Sequence, residues 1–237
     1  MVNFSIEPLT EQNDCKNIEN IFCICSKEDD INYIMPSFDE IKTYSNIFFA
    51  KADSKVIGFI WNCDDELNEV FGMVIPTYRK QGVFKKLLSA ITSKLPEGTI
   101  TFYGRPEYSL MGKCATELGY NTTRTELLMT YSKGYEEEWP DDVFEEDDCF
   151  CYYIKDDFIG RCSIYETPST INIYDVYVFE KHQNKGYGKR IIKDILWNYC
   201  NSGKEIILQV TEDNQSAVRC YKSCGFTIKD AIIFYSK

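Results

Sequence analysis

A single histidine, His182, stands in 237 residues, and none of the 11 cysteines forms a Cys-x-x-Cys spacing; the tightest pairs are Cys23/Cys25 and Cys149/Cys151. Zinc needs about four nitrogen or sulfur ligands gathered at recurrent short spacings, so the pattern argues against a metal site. No apolar run approaches the ~20 residues of a membrane-spanning helix. The opening residues Met1-Val2-Asn3-Phe4-Ser5 carry no secretory h-region, so the scattered cysteines read as reduced, mostly small core residues, and a cytoplasmic location is expected. Basic charge is in deficit too, with Lys+Arg 26 against Asp+Glu 37 and a net charge of −11. Nucleic acid and anionic membranes are held by basic patches, so neither is expected as a partner, and the sign favours a cationic acceptor. Apolar residues at 44% and aromatics at 15% suffice, at this length, for one large core or two modest ones.

The stretch with most structural information is Gln183-Asn184-Lys185-Gly186-Tyr187-Gly188. An apolar run, Ile171 to Phe179, precedes it, and Lys189 to Cys200 follows with Ile191, Ile192, Ile195, Leu196 and Tyr199 at helical spacing. Strand, glycine turn and helix are expected. At such a helix start the first amides lack intrahelical partners and the macrodipole is positive, so glycines allow a phosphate to come close. A dinucleotide loop needs a third glycine where Ile191 stands, and a P-loop needs Ser or Thr where Arg190 stands, so both are excluded. A plain tight turn stays possible on these six residues alone.

The arrangement Gln-x-x-Gly-x-Gly at a strand-to-helix turn resembles the acyl-CoA pyrophosphate loop of the GNAT superfamily of N-acyltransferases. After a strand at Glu205–Val210 comes Asn214-x-x-Ala217-x-x-x-Tyr221-x-x-x-Gly225-Phe226, similar to the second GNAT signature. The resemblance implies acetyl-CoA as co-substrate, no metal, and cofactor contacts from Gln183, Asn184, Lys185, Gly186, Tyr187, Gly188, Lys189, Asn214, Ala217 and Tyr221. It further implies that main-chain groups of Val176, Tyr177 and Val178 hold the thioester. Asn214 also suits an N-cap and Gly225 a left-handed C-cap.

A repeat accounts for the length. Arg79-Lys80-Gln81-Gly82-Val83-Phe84 is a first copy of the loop, with Arg79 on Gln183 and Leu87, Leu88 and Ile91 on Ile191, Ile192 and Ile195 at a constant offset of 104. Leu118-Gly119-Tyr120 likewise falls on Cys224-Gly225-Phe226 at an offset of 106. A mixed α/β chain of two GNAT-like units is expected, each a twisted mixed sheet flanked by helices. The first unit spans residues 1–134, with strands at Val2–Pro8, Asn46–Ala52, Lys55–Asn62, Leu67–Ile75, Thr99–Tyr103 and Thr125–Ser132. Its helices are placed at Glu11–Cys25, after a capping box at Ser37–Glu40, at Lys85–Ile91 and at Glu107–Leu118. Residues 135–148, rich in Glu and Asp, read as a solvated linker, or else as a guard over a binding cleft. Residues 149–237 form the second unit, with strands at Cys149–Ile154, Phe158–Tyr165, Asn172–Phe179 and Ala231–Tyr235; it lacks the opening strand and two helices of the usual fold.

Acyl transfer to an amine needs a neutral nucleophile, a polarised carbonyl and a proton for the leaving thiolate. Tyr221, with an ordinary pKa near ~10, is the candidate acid; the competing reading is a core tyrosine. Ala115 occupies the matching place in the first unit, Tyr108 that of Asn214, and Phe84 that of Gly188, so the first copy is expected to be catalytically inactive, with a crowded loop. For the general base Asp175 is the nearest carboxylate, with Tyr174 and Glu166 as rivals; strand alternation sends Tyr174 and Asp175 to opposite faces. The expected function is an acetyl-CoA-dependent N-acetyltransferase acting on a primary amine of a small molecule or peptide. The alternative is a non-catalytic acyl-CoA binding or sensing protein working through a protein partner.

Overall fold

The structure, a computed structural model, describes residues 3–9, 15–29, 46–62, 68–95, 101–104, 109–131, 143–146, 149–155 and 157–237. The chain divides into two compact units, Met1–Thr123 with Ile233–Lys237, and Arg124–Ile232. Among the described residues no helix is long and apolar enough to cross a membrane. The expected capping box at Ser37–Glu40 lies outside the described residues.

The first unit runs β1 (Ser5–Pro8), α1 (Cys15–Asp29), β2 (Asn46–Ala52), β3 (Lys55–Asn62), β4 (Glu69–Val74), α2 (Val83–Thr92), β5 (Thr101–Gly104) and α3 (Ser109–Glu117). β1 to β4 pair antiparallel in chain order and β4 pairs parallel with β5. Both faces of this sheet are covered, which is why its strands read as nearly continuous apolar runs. On β4, Val70 and Val74 pack with Val83, Leu87, Leu88 and Ile91 of α2. Phe71 and Met73, the alternate residues, pack with Ile18, Ile21 and Phe22 of α1 and with Phe59 and Trp61, whose rings stack at 4.8 Å.

The second unit uses β6 (Asn121–Tyr131), β7 (Val143–Glu146), β8 (Cys149–Ile154), β9 (Asp157–Glu166), β10 (Thr170–Val178), α4 (Tyr187–Tyr199), β11 (Glu205–Thr211), α5 (Gln215–Ser223) and the first part of β12 (Phe226–Ser236). Its strand order is β6-β11-β10-β9-β8-β7, with β10 and β11 parallel and the other neighbours antiparallel. One core gathers Ile191, Ile192, Ile195 and Leu196 of α4, Val218 and Tyr221 of α5, and the inward residues of β6, β10 and β11.

Four expectations meet a different arrangement. The acidic interval is not all linker, because Val143–Glu146 pairs antiparallel with β8, Val143 opposite Tyr152; this strand also opens the second sheet, which was expected to lack one. The strand at Thr125–Ser132, assigned by sequence to the first unit, is β6 and pairs with β11 from Glu126↔Thr211 to Tyr131↔Ile206. In return the end of β12 belongs to the first unit, where Ile233–Ser236 pair with Gly104–Thr101 of β5. The compact units therefore follow strand pairing and not the 134/149 division. Ladder pairing is made by backbone groups, and a strand apolar on the right face can complete either sheet.

Candidate active site

β10 and β11 stay paired for four residues, from Thr170↔Glu205 to Ile173↔Leu208. Both strands then continue, β10 to Val178 and β11 to Thr211, without further pairing to each other. They part after Ile173, and the main-chain groups of β10 on the β11 side are left outside any ladder. A bulge sits at this point. Tyr174 lies opposite Ser163 and Tyr177 opposite Arg161, so three steps on β10 match two on β9, and the extra residue is absorbed at Asp175, whose φ is +49°. The bulge reverses the alternation: Ile171 and Ile173 are buried before it, and Val176 and Val178 pack against the same core after it. Tyr174 and Asp175 are both exposed, so simple alternation does not separate them as the sequence suggested. Opposite Val178, Gly160 is required by close approach; a Cβ there would collide with the Tyr177 carbonyl and lie 3.2 Å from Ile191 Cδ1.

The chain leaves β10 through a 3-10 turn, Glu180–His182, and reaches α4 through the glycine loop. The Gln183 side-chain amide donates to the Val178 carbonyl at 3.0 Å, tying the loop to the strand end. Asn184 (φ +60°) and Gly186 (φ +88°) take left-handed backbone, and Gly186 caps α4. No side chain caps this helix; its first internal bond is the Arg190 N–H to the Gly186 carbonyl, at 3.1 Å. The amides of Tyr187, Gly188 and Lys189 therefore precede the first intrahelical bond, at the positive end of the helix. A Cβ on Gly186 would meet nothing within 4 Å, so the space before these amides is open. On the other side, the Cβ position of Gly188 lies 3.7 Å from Cys220 Sγ and 3.8 Å from Val178 Cγ2, so strand end, helix start and α5 meet at this glycine. Lys185 is folded onto the Lys181 carbonyl at 2.8 Å, and Lys181 pairs with Asp157 at 2.6 Å.

On α5, Asn214 is the N-cap: its Oδ1 accepts from the Ala217 N–H at 3.1 Å. Ala217 packs partly buried against the second-unit core, one turn before Tyr221. Tyr221 is 7% exposed, with its ring 6.2 Å from Phe226. Its hydroxyl makes no hydrogen bond among the described residues. Burial, assisted by the neighbouring thiols of Cys220, Cys162 and Cys224, pushes the phenol up to about 12, above the ordinary value that the sequence suggested.

The base candidates separate. Glu166 lies opposite Ile171, at the paired end of β10, and is held by Lys204. Tyr174 and Asp175 are at the parting of the strands, and the Asp175 carboxylate is paired with the Arg161 guanidinium at 2.8 Å. Sequence reasoning missed Arg161 and the bulge, although a signal was present: the apolar positions 171 and 173 continue at 176 and 178, a change of parity within one strand.

The first unit keeps the loop and a short parallel pairing, β4 with β5 only from Glu69↔Thr101 to Val70↔Phe102, and lacks the bulge and the tyrosine. Arg79 donates to the Val74 carbonyl at 2.9 Å as Gln183 does to Val178, Lys80 (φ +62°) and Gly82 (φ +80°) repeat the backbone path, and Lys86 N–H bonds the Gly82 carbonyl at 3.1 Å. The expected crowding by Phe84 does not occur, since that residue packs against the first-unit core and the Cβ position of Gly82 is open. Yet β4 pairs with β3 in unbroken register from Val70↔Asn62 to Val74↔Gly58. Phe71, at the place of Asp175, is buried, and so is Ala115, at the place of Tyr221. Arg79 is further held by Asp29 through both terminal guanidinium nitrogens, Nη1 and Nη2.

Residues 120–226 match the sequence profile of the Acetyltransferase (GNAT) family. Over 96 residues the chain is 30% identical to mycothiol acetyltransferase of Corynebacterium efficiens, a stretch covering 40% of this chain and 32% of that protein. The match thus spans about a third of that relative's length. Over 122 residues it is 26% identical to the uncharacterized N-acetyltransferase YvbK of Bacillus subtilis, covering 50% of this chain and 78% of that protein. Among solved structures, a GCN5-related N-acetyltransferase from Sphaerobacter thermophilus has the same fold, with a TM-score of 0.82 at 16% identity over 99% of this chain and 95% of that one. A tandem GNAT protein from the clavulanic acid biosynthesis pathway gives a TM-score of 0.71 at 11% identity, over 99% of this chain and 98% of that one.

Proposed function

We propose that the second unit, which belongs to the GNAT acetyltransferase family, transfers an acetyl group from acetyl-CoA to a primary amine of a small molecule or peptide. The observation that carries this reading is the parting of β10 from β11 at a bulge, next to an uncapped helix start and a buried tyrosine whose hydroxyl makes no hydrogen bond among the described residues. The pyrophosphate lies on the amides of the loop from Gln183 to Gly188 and on Lys189, with Asn214 and Ala217 on the neighbouring helix contributing surface. Main-chain groups of Val176, Tyr177 and Val178 hold the thioester carbonyl where negative charge develops. The ammonium first gives one proton to solvent, and the neutral amine nitrogen attacks the carbonyl carbon. The carbon–sulfur bond breaks with the sulfur leaving as CoA thiolate, and the second nitrogen proton passes to solvent, from which the thiolate is protonated.

Tyr221 serves that thiolate as a hydrogen-bond donor. A phenol held near about 12 lies above an ordinary thiol near ~8.5, so full proton transfer is uphill, whereas a hydrogen bond that strengthens as charge builds on sulfur lowers the barrier. Asp175 is the carboxylate at the parting of the strands. Its pairing with Arg161 makes orienting an incoming ammonium the role the geometry supports over proton abstraction. The net charge of −11 fits a cationic acceptor.

A non-catalytic acyl-CoA sensor is the competing reading, and the retained Tyr221 favours the enzyme, since binding alone needs no donor at the sulfur. The test is a panel of primary amines (polyamines, amino acids, aminoglycosides and short lysine peptides) with acetyl-CoA, reading free thiol and product mass. Thiol release matched by an acetylated amine is expected for at least one cationic member. Tight acetyl-CoA binding with no acetylated product across the panel would establish the sensor reading instead.

A further inference from the structure

Two thiols that acyl transfer does not use lie beside the cofactor loop. Cys220 and Cys224 are four residues apart, and the Cys224 N–H bonds the Cys220 carbonyl at 3.1 Å, so the helical turn between them is closed. Neither is fully buried. Four residues of helix put the two Cα atoms ~6 Å apart, inside the range of disulfides, while Cβ atoms one turn apart stand ~5–6 Å from each other, so closure has to draw in the last turn of α5. Each thiol perturbs the other's ionisation, that of Cys220 downward and that of Cys224 upward. Both also touch the start of α4: Cys220 Sγ is 3.7 Å from the Cβ position of Gly188, and Cys224 Sγ donates to the Lys189 carbonyl at 3.8 Å.

We propose that Cys220 and Cys224 form a thiol–disulfide modification site, oxidised by low-molecular-weight disulfides, that loosens the pyrophosphate loop when the bond closes. Cys220 is the attacking thiol. The adjoining Cys224 thiol and the charge of Lys189 lower its pKa against the cost of burial. Its thiolate attacks one sulfur of glutathione disulfide and expels a glutathione thiolate, forming a mixed disulfide. Cys224, initially held protonated above the usual thiol range by the adjoining Cys220 and by burial, loses part of that restraint once Cys220 is capped. It then gives up its proton to solvent, attacks the Cys220 sulfur and expels the second glutathione thiolate. Two electrons pass from the cysteine pair to the external disulfide. Closure removes the Cys224 contact to the Lys189 carbonyl and draws Cys220 Sγ from Gly188 toward its partner, so both residues that brace the loop move.

The effect on cofactor affinity rests on the function proposed above; the chemistry of the pair does not. The full chain is treated with glutathione disulfide and analysed by peptide mass spectrometry, together with Cys220→Ser and Cys224→Ser. In the wild type the peptide carrying both residues should lose two hydrogens, reversibly with dithiothreitol. Cys224→Ser should stop at a glutathione adduct on Cys220, and Cys220→Ser should take up no glutathione at position 224. Calorimetry should then show acetyl-CoA bound several-fold more weakly by the oxidised wild type than by the reduced form. A stable adduct on wild-type Cys220, a pair left reduced while other cysteines react, or a disulfide with unchanged affinity would each overturn the proposal. Absence of acetyl-CoA binding by the reduced protein would instead strike the proposed function, leaving the mass result to judge the cysteine chemistry alone.

Discussion

Gly186→Asp is expected to weaken acetyl-CoA binding about a hundredfold, the equivalent of ~2.7 kcal/mol. Gly186 has φ +88° and open space where its Cβ would stand, so a side chain meets no protein atom and the fold survives. Left-handed backbone costs a non-glycine residue ~1–2 kcal/mol, which falls on stability. The binding loss has another source. A carboxylate at the mouth of the uncapped amides satisfies them from within and repels a pyrophosphate. Gly186→Ala separates the two effects, since it carries the backbone cost without the charge and should retain most of the affinity. Calorimetry with acetyl-CoA, alongside a thermal melt of each variant, reads both. Equal affinity in the aspartate variant and the wild type would remove the loop from the site.

The second large effect is on turnover. Tyr221→Phe keeps the buried ring against Phe226 and deletes only the hydroxyl, so kcat should fall ~10²-fold while acetyl-CoA affinity stays near wild type. The pH profile carries a further signature. The phenol is the donor only while protonated, and its pKa is raised to about 12, so Tyr221 should produce no loss of kcat with rising pH through the range where an ordinary tyrosine ionises. An alkaline limb near pH ~10 that disappears in Tyr221→Phe would mean that the hydroxyl titrates like an exposed one. An unchanged kcat with chemistry rate-limiting would move the donor elsewhere.

How much of this was legible in the chain differs by physical cause. β2, β3 and β8 begin and end where turn residues and apolar runs placed them, and the apolar face of α4 is the one that its spacing predicted. The loop was legible because glycine at a left-handed position is a conformational requirement written in residue type, and Gly82 and Gly186 both meet it. Which sheet β6 and the end of β12 join was not, because main-chain pairing looks alike in either unit. The bulge at Asp175 was half-written: a break in the alternation of β10 was present, but regular alternation placed Tyr174 and Asp175 on opposite faces until the register against β9 was known. Arg161, remote in sequence from Asp175, gained meaning only through that register. The path of the first loop shows the reverse error, where a residue change, Phe84, suggested a distortion that packing against the core avoids.

The central claim is that two loops of like backbone path differ in chemistry, because only the second adjoins a bulged strand and a tyrosine. The most direct test is steady-state turnover of Gly82→Asp beside Gly186→Asp, using an amine found in the acceptor panel. Both glycines cap a helix with left-handed backbone and open space before it, so the two changes are physically alike. The account predicts kcat/KM within about twofold of wild type for Gly82→Asp, a change under ~0.5 kcal/mol, and collapse for Gly186→Asp. Collapse in Gly82→Asp with Gly186→Asp still active would contradict it and place the chemistry in the first unit.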